Sequence, residues 1–219
     1  MDKNKKFLAA GFLVSLFLAG VVSFYASSDP DGLEKVAEDI GFIETAKENT
    51  NADVVFGTES WLGKNIKDHE VFPPGYSIYR KDRDVGRGGG VFIAVKDYIM
   101  STQVTDFDTD CEIVWVKINI ESCKSLYLAS YYRPNAMDLE SLVQLEDSIS
   151  KVPKKNSHIW IAGDMNLPYL DWPSGSLKSN CPSTSQHTFF MDTTADHGLV
   201  QVVDKPTRGD NVLDLLAVN

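Results

Sequence analysis

Residues 158–168 read HIWIAGDMNLP, and the reading of this stretch decides how the chain is built. Ile159, Trp160, Ile161 and Ala162 form a short apolar run of the kind that makes a buried strand. Gly163 ends the run, and Asp164 and Asn166 follow at once. At spacing two, their side chains point the same way if the backbone stays extended. A carboxylate there can take a hard cation or activate a nucleophile, and the neutral amide can hold a phosphate oxygen. An Asx-type turn after a strand accounts for the same letters. Local pattern alone leaves both readings open.

Working outward, Leu139, Leu142, Val143, Ile149 and Val152 recur at helical intervals, which predicts an amphipathic helix over 138–152 leading into the strand at 159–162. Earlier apolar or alternating runs predict strands at 53–56, 76–80, 91–95, 112–120 and 125–131. Downstream, Ser183 opens and Gly198 closes a second helix over 183–197, with strands at 199–202 and 212–218. The glycines of RGGG at 87–90 lead into a strand and no Gly-Lys-Ser/Thr follows, so they read as a hairpin or close-approach loop rather than a phosphate loop. Strands outnumber helices, and the expected architecture is mixed α/β with sheets at the centre and helices outside.

Polar groups now stand at matching places near strand ends: Glu59, the segment from Tyr132 to Asn135, and Asp164 with Asn166. Asp214 lies inside the apolar segment VLDLL, where an acid needs a partner. A site of Glu, Asp and Asn offers oxygen ligands, which suit Mg²⁺ or Mn²⁺ rather than zinc. The 219 residues leave room for one ordinary domain plus an appendage, and 43% hydrophobic with 24% charged residues is a globular composition. A net charge of −10 gives no basic surface for nucleic acid, although a carboxylate cluster neutralised by a cation contributes acidity of this kind. Cys111, Cys123 and Cys181 are odd in number and lack metal-ligand spacing, so they read as reduced thiols.

The N-terminus has a different texture. Lys3, Lys5 and Lys6 precede residues 7–26, a run of 20 without a charge. Such a run crosses about 30 Å of hydrocarbon as a helix, and the leading lysines orient it N-in, C-out. A signal peptide cut near residues 26–28 is the competing reading. Asp31 can cap a short acidic helix beyond it. The expected division is an anchor or signal over 1–28, a juxtamembrane helix and linker over 29–50, and the body over 51–219. Pro30-Asp31-Gly32-Leu33-Glu34, together with the lysine-led anchor, resembles the PDGLE segment of small membrane proteins associated with cobalt and nickel uptake transporters.

The body carries a second resemblance. GTESWL at 57–62, RGGGVFIAV at 87–95, YYRPN at 131–135, GDMNLP at 163–168 and KPTRGDNVLDLL at 205–216 look like the endonuclease domain of non-LTR (LINE-type) retrotransposons. That domain belongs to the endonuclease/exonuclease/phosphatase superfamily, which also contains apurinic endonucleases. The resemblance implies a four-layered α/β sandwich, incomplete here and preceded by a transmembrane helix, and it implies Mg²⁺- or Mn²⁺-dependent cutting of DNA phosphodiesters. Carried over by position, Glu59 is the metal carboxylate, and Tyr132 and Asn135 contact the scissile phosphate. Asp164 orients or deprotonates the attacking water, Asn166 hydrogen-bonds a phosphate oxygen, and Asp214 orients a catalytic histidine.

The family pattern ends on a Ser-Asp-His motif and opens on a strand bearing a metal-site asparagine, and this sequence matches neither. His69, His158 and His187 lie outside the motifs, and His197 falls at a helix end as a cap or surface residue. Losing the imidazole implies a weak or inactive nuclease, and losing strands implies exposed sheet edges and unfilled core positions. The partners implied are DNA, and a membrane through residues 7–26; no partner protein is identifiable. Two other readings stand: a membrane-anchored phosphoesterase acting on lipid or small phosphates, and a fused or truncated product whose N-terminus is a PDGLE-type accessory segment of metal uptake. The N-in, C-out orientation sits awkwardly with a DNA-cutting body.

Overall fold

A computed structural model of the chain describes residues 52–84, 88–120 and 124–219. The anchor, the PDGLE-like segment and Cys123 lie outside the described residues. Among the described residues no helix is long and apolar enough to cross a membrane.

In chain order the elements begin with β1 (Val54–Thr58), α1 (Asp68–Val71), β2 (Tyr76–Lys81), β3 (Val91–Lys96) and β4 (Ser101–Gln103). Next come β5 (Glu112–Ile120), β6 (Lys124–Tyr132), α2 (Glu140–Ser150) and β7 (Ser157–Asp164). The last are β8 (Leu170–Asp171), β9 (Ser176–Leu177), α3 (Thr184–Asp196), β10 (Val200–Gln201) and β11 (Asp214–Val218). They form a three-stranded sheet ordered β1-β3-β2, a six-stranded sheet ordered β10-β11-β7-β6-β5-β4, and the small hairpin β8-β9. Neighbours pair antiparallel except β6 and β7, which run parallel with α2 as their crossover.

Alternation along the strands sorts side chains to the two faces of the larger sheet. Ile113, Trp115, Tyr127, Ala129 and Tyr131 face the helices, where Leu142, Leu145 and Ile149 of α2 and Phe190 of α3 close the main core. Trp115 fixes α2 as well as filling space: its Nε1–H donates to Ser148 Oγ at 2.8 Å, and that hydroxyl donates to the Phe107 carbonyl at 2.6 Å. Val114, Val116, Leu126, Leu128 and Tyr132 face the other way and pack on Val91, Ile93 and Val95 of the small sheet. The small sheet covers β5, β6 and part of β7. Beyond its reach Trp160 is 38% exposed.

Several sequence expectations change here. β4, α1 and the β8-β9 hairpin are too short and too polar to show in periodicity, and the strand expected at 199–202 shrinks to β10. Asp164 and Tyr132 are the last residues of their strands rather than lying beyond them.

Gly163 shows why a glycine precedes Asp164. Its φ is +140°, and an added Cβ would stand 1.9 Å from the Tyr131 carbonyl oxygen on the parallel neighbour. Gly163→Ala is therefore expected to lower unfolding stability by about 2–3 kcal/mol, because the β6–β7 ladder must part to admit the methyl. Denaturant unfolding measures this, and a wild-type midpoint for the variant contradicts it.

Candidate active site

One rung of the six-stranded sheet holds the chemistry. Glu112 pairs with Tyr132 across β5 and β6, Tyr132 with Asp164 across β6 and β7, and Asp164 with Asp214 across β7 and β11. Strands spaced about 4.8 Å apart put these four side chains in a row about 14 Å long, on one face. That face is the seam between the sheets, because Tyr132 packs with the small-sheet core. Glu59 arrives from the opposite side of the seam, one residue past β1.

The loop bearing Glu59 is held under backbone constraint. Glu59 and Trp61 both have positive φ, 51° and 54°, at a cost of order 1 kcal/mol or more each. The loop stays there because Ser60 and Trp61 donate their N–H groups to the carbonyls of Gly90 and Gly89, at 3.2 and 2.9 Å. Gly90 is a close-approach glycine, as the sequence suggests: an added Cβ would lie 2.5 Å from Ser60 Oγ. Ser130 Oγ donates to the Gly57 carbonyl at 2.9 Å and locks β6 to β1. The Tyr132 hydroxyl then donates to Glu59 Oε1. Burial is the first cause raising the Tyr132 pKa, and its bond to the Glu59 carboxylate is the second.

Asp164 is 2% exposed. Its Oδ1 accepts the Asn166 backbone N–H at 2.9 Å, and its Oδ2 accepts from Arg208 Nη2 at 3.1 Å. Burial pushes its carboxyl above the usual carboxylate range. Asp214 and Glu59 push the same way, while the Asn166 N–H and Arg208 oppose them. Asp214 is half-buried, and its backbone N–H donates to Thr207 Oγ1 at 3.0 Å.

Asn166 departs from the extended geometry. Its φ is +49°, because Met165 and Leu167 on either side are buried in the main core and turn the chain. The Asx turn and the convergence of polar groups are thus both present. One Asn166 amide N–H goes to the Arg133 carbonyl at 2.5 Å. Asn135 is exposed, and its Oδ1 accepts the Met137 N–H at 2.9 Å, which leaves its amide hydrogens outward of the turn. No hydrogen bond joins Asn135 to Glu59, Tyr132 or Asp164 among the described residues.

Sequence reasoning passed over Arg133, Glu112, Arg83 and Arg208. Arg133 is fully buried, and its guanidinium donates to the carbonyls of Asn135, Ala136, Asp138, Met165 and Asn166. It thereby joins the two loops that present Asn135 and Asn166. Glu112 accepts from Arg83 Nε at 2.7 Å and from the Gly90 N–H at 2.5 Å, tying the glycine loop to the rung. The Arg83 guanidinium carbon stands 5.8 Å from the centre of the Tyr132 ring.

All four histidines are described, and none hydrogen-bonds to a rung residue. His158 is the second residue of β7, about 20 Å from Asp164 along the strand, and its Nδ1 lies 3.1 Å from the Asn219 carbonyl. His197 ends α3 beside Glu146, at 3.7 Å. His187 is buried: its Nε2 accepts the Tyr169 N–H at 3.2 Å, which places the proton on Nδ1, 2.8 Å from the Ser183 carbonyl. Burial lowers its pKa.

The donor set suits a hard cation. Glu59, Asp164 and Asp214 supply only oxygens, and their combined negative charge, when ionised, exceeds the single positive charge of Arg208 beside them. Among the described residues no three His, Cys, Asp or Glu side chains form a ready-made metal cage.

Comparisons with known proteins agree with this fold. The endonuclease domain of TRAS1, a telomere-specific non-LTR retrotransposon, superposes with TM-score 0.59 at 20% identity, covering 84% of this chain and 79% of that one. The AP endonuclease LMAP from Leishmania major superposes with TM-score 0.62 at 12% identity, covering 86% and 75%. The body thus shares its fold with these two endonucleases. The PDGLE domain family matches residues 5–96, so the N-terminal resemblance also stands, and that match runs on to the end of β3. An uncharacterized protein of Methanothermobacter thermautotrophicus is 45% identical over 38 residues, 17% of this chain, and the match spans 36% of that relative.

Proposed function

We propose that the body, residues 51–219, is a divalent-metal-dependent phosphodiesterase domain of retroelement origin, built as a four-layered α/β sandwich and acting on DNA. The observation that carries this reading is the rung of Tyr132, Asp164 and Asp214 with Glu59 bonded to Tyr132 across the seam. Glu59 holds Mg²⁺ or Mn²⁺, which when bound supplies Lewis-acid stabilisation of the phosphoryl and leaving oxygens. Tyr132 positions the Glu59 carboxylate and borders the phosphate. Asn135 and Asn166 donate amide hydrogens to phosphate oxygens. Asp164 orients the attacking water and takes its proton as the new O–P bond forms and the P–O bond to the leaving sugar oxygen breaks.

Among the described residues no histidine bonds to Asp214, and the site is proposed to work without an imidazole as its acid–base group. Such a loss commonly costs about 10²–10⁴ in rate, so turnover is set low. The decisive experiment is nicking of supercoiled plasmid at high protein concentration. Conversion to the open circle with Mg²⁺ and none with EDTA is expected; equal conversion in both conditions, or none in either, overturns the reading.

A second reading rests on the PDGLE match over 5–96. In it, residues 1–28 anchor the chain N-in, C-out, and the segment 29–50 serves a metal-uptake transporter. Co-purification of a transporter through residues 1–50, from cells in which the body has no nicking activity, favours that role.

A further inference from the structure

A phosphodiester approaching this rung meets Glu59, Asp164 and Asp214, and a chain of net charge −10 offers it little attraction from a distance. The tyrosine hydroxyl is engaged by Glu59, and one Asn166 amide hydrogen is given to Arg133. The Arg83 fork is committed to Glu112, and its side chain is only 23% exposed. Arg208 is different. Its side chain is 60% exposed, yet its Nη2 reaches an Asp164 side chain that is 3% exposed.

The mount of Arg208 is fixed while its fork stays in water. Arg208 and Asn211 form an antiparallel bridge around a turn in which Gly209 has φ +59°. Thr207 Oγ1 accepts the N–H groups of both Leu213 and Asp214 at 3.0 Å, which ties that turn to the start of β11. The guanidinium therefore closes the solvent side of the buried carboxylate through one of its five N–H donors. An ion pair with so exposed a member is held weakly, and a phosphate oxygen pair matches the guanidinium fork better than a single carboxylate oxygen does.

We propose that Arg208 is the phosphate anchor of this site: docked on Asp164 in the ligand-free protein, it turns its fork to the scissile phosphodiester and leaves Asp164 open to the attacking water. The inference rests on the phosphodiesterase reading and names the group that recognises the anion. The same side chain links substrate arrival to access at the base, since the contact it gives up is the one that covers Asp164.

A double-variant comparison tests it in a background where the ion pair no longer exists. Asp164→Asn and Asp164→Asn/Arg208→Ala are titrated with fluorescein-labelled duplex DNA in Mg²⁺ over a range of salt. Loss of the anchor is expected to weaken binding by roughly tenfold or more. It is also expected to make the log affinity–log salt slope shallower by about one, with Arg208→Lys between the two. Equal affinities and slopes overturn the proposal, because an arginine that serves only to pair Asp164 has nothing left to lose once Asn stands there. If the duplex binds neither protein, the DNA reading fails, and excess inorganic phosphate decides the anchor separately. Phosphate then raises the melting temperature of Asp164→Asn but not of the double variant; equal shifts overturn the anchor.

Discussion

Asp164→Asn is expected to lower Mg²⁺-dependent plasmid nicking by about 10²–10⁴-fold while leaving the metal-free protein at least as heat-stable as the wild type at pH 7. The two effects share a cause. Burial holds the Asp164 carboxyl above its ordinary value of 3.8, and Asp214 and Glu59 add to the shift. A carboxyl whose folded pKa exceeds its unfolded pKa adds stability in its protonated form. That contribution is complete below 3.8 and is lost as the pH rises through the folded value. Ionisation of Asp164 therefore works against folding. Asparagine keeps an Oδ1 for the Asn166 N–H and carries no charge, and the Arg208 pair it gives up is too exposed to weigh much. Melting curves in EDTA at pH 4 and pH 7 read the stability arm: the variant gains on the wild type as the pH rises. A clear loss of stability at pH 7, or nicking at the wild-type rate, contradicts the role given to this residue.

Much of the framework is legible locally, and the site's assembly is not. The alternation in 112–120 gives β5 its observed bounds, and the leucine spacing around 142 finds α2 to within two residues at each end. These elements are decided by which face each side chain must bury, and that is a short-range pattern. The rung depends on register, which is a property of pairs of strands far apart in sequence. Glu112 stands level with Asp214 only because β5, β6, β7 and β11 pair in one particular way. Local pattern singled out Glu59, the Tyr132–Asn135 segment, Asp164 and Asp214, resemblance gave them roles, and nothing local pointed to Glu112. The spacing argument at Asn166 went astray for a physical reason: burying Met165 and Leu167 outweighs keeping the strand straight, and Asn tolerates the left-handed conformation that results. Three of the histidines that the sequence sets apart from the motifs, His158, His187 and His197, have polar partners away from the rung.

Arg133 is the residue that sequence reasoning had most reason to misplace, because an arginine following a strand and preceding proline reads as a surface cation. Arg133→Ala is expected to cost roughly 3–5 kcal/mol, the range for removing one partner from a buried, fully bonded charge. No carboxylate pairs with this guanidinium; five carbonyl dipoles on two loops surround it. Burial lowers its pKa, with Tyr131, Asp138 and Asp164 opposing the shift. Truncation leaves those five oxygens facing a cavity that water fills only in part. Arg133→Lys is expected to fall between the two, since three donors on one nitrogen cannot span carbonyls that a planar fork reaches from both sides. Denaturant unfolding gives the stabilities, and a loss under about 1 kcal/mol for the alanine variant rules out this account. The lysine variant carries the functional consequence. The Asn135 and Asn166 loops are joined through this guanidinium, so a folded Arg133→Lys protein is expected to be cut faster by protease at residues 134–138. It is also expected to nick DNA more slowly than its stability alone explains. The rung itself is built by strand pairing, but the amides beside it hold their places through a cation that never meets solvent.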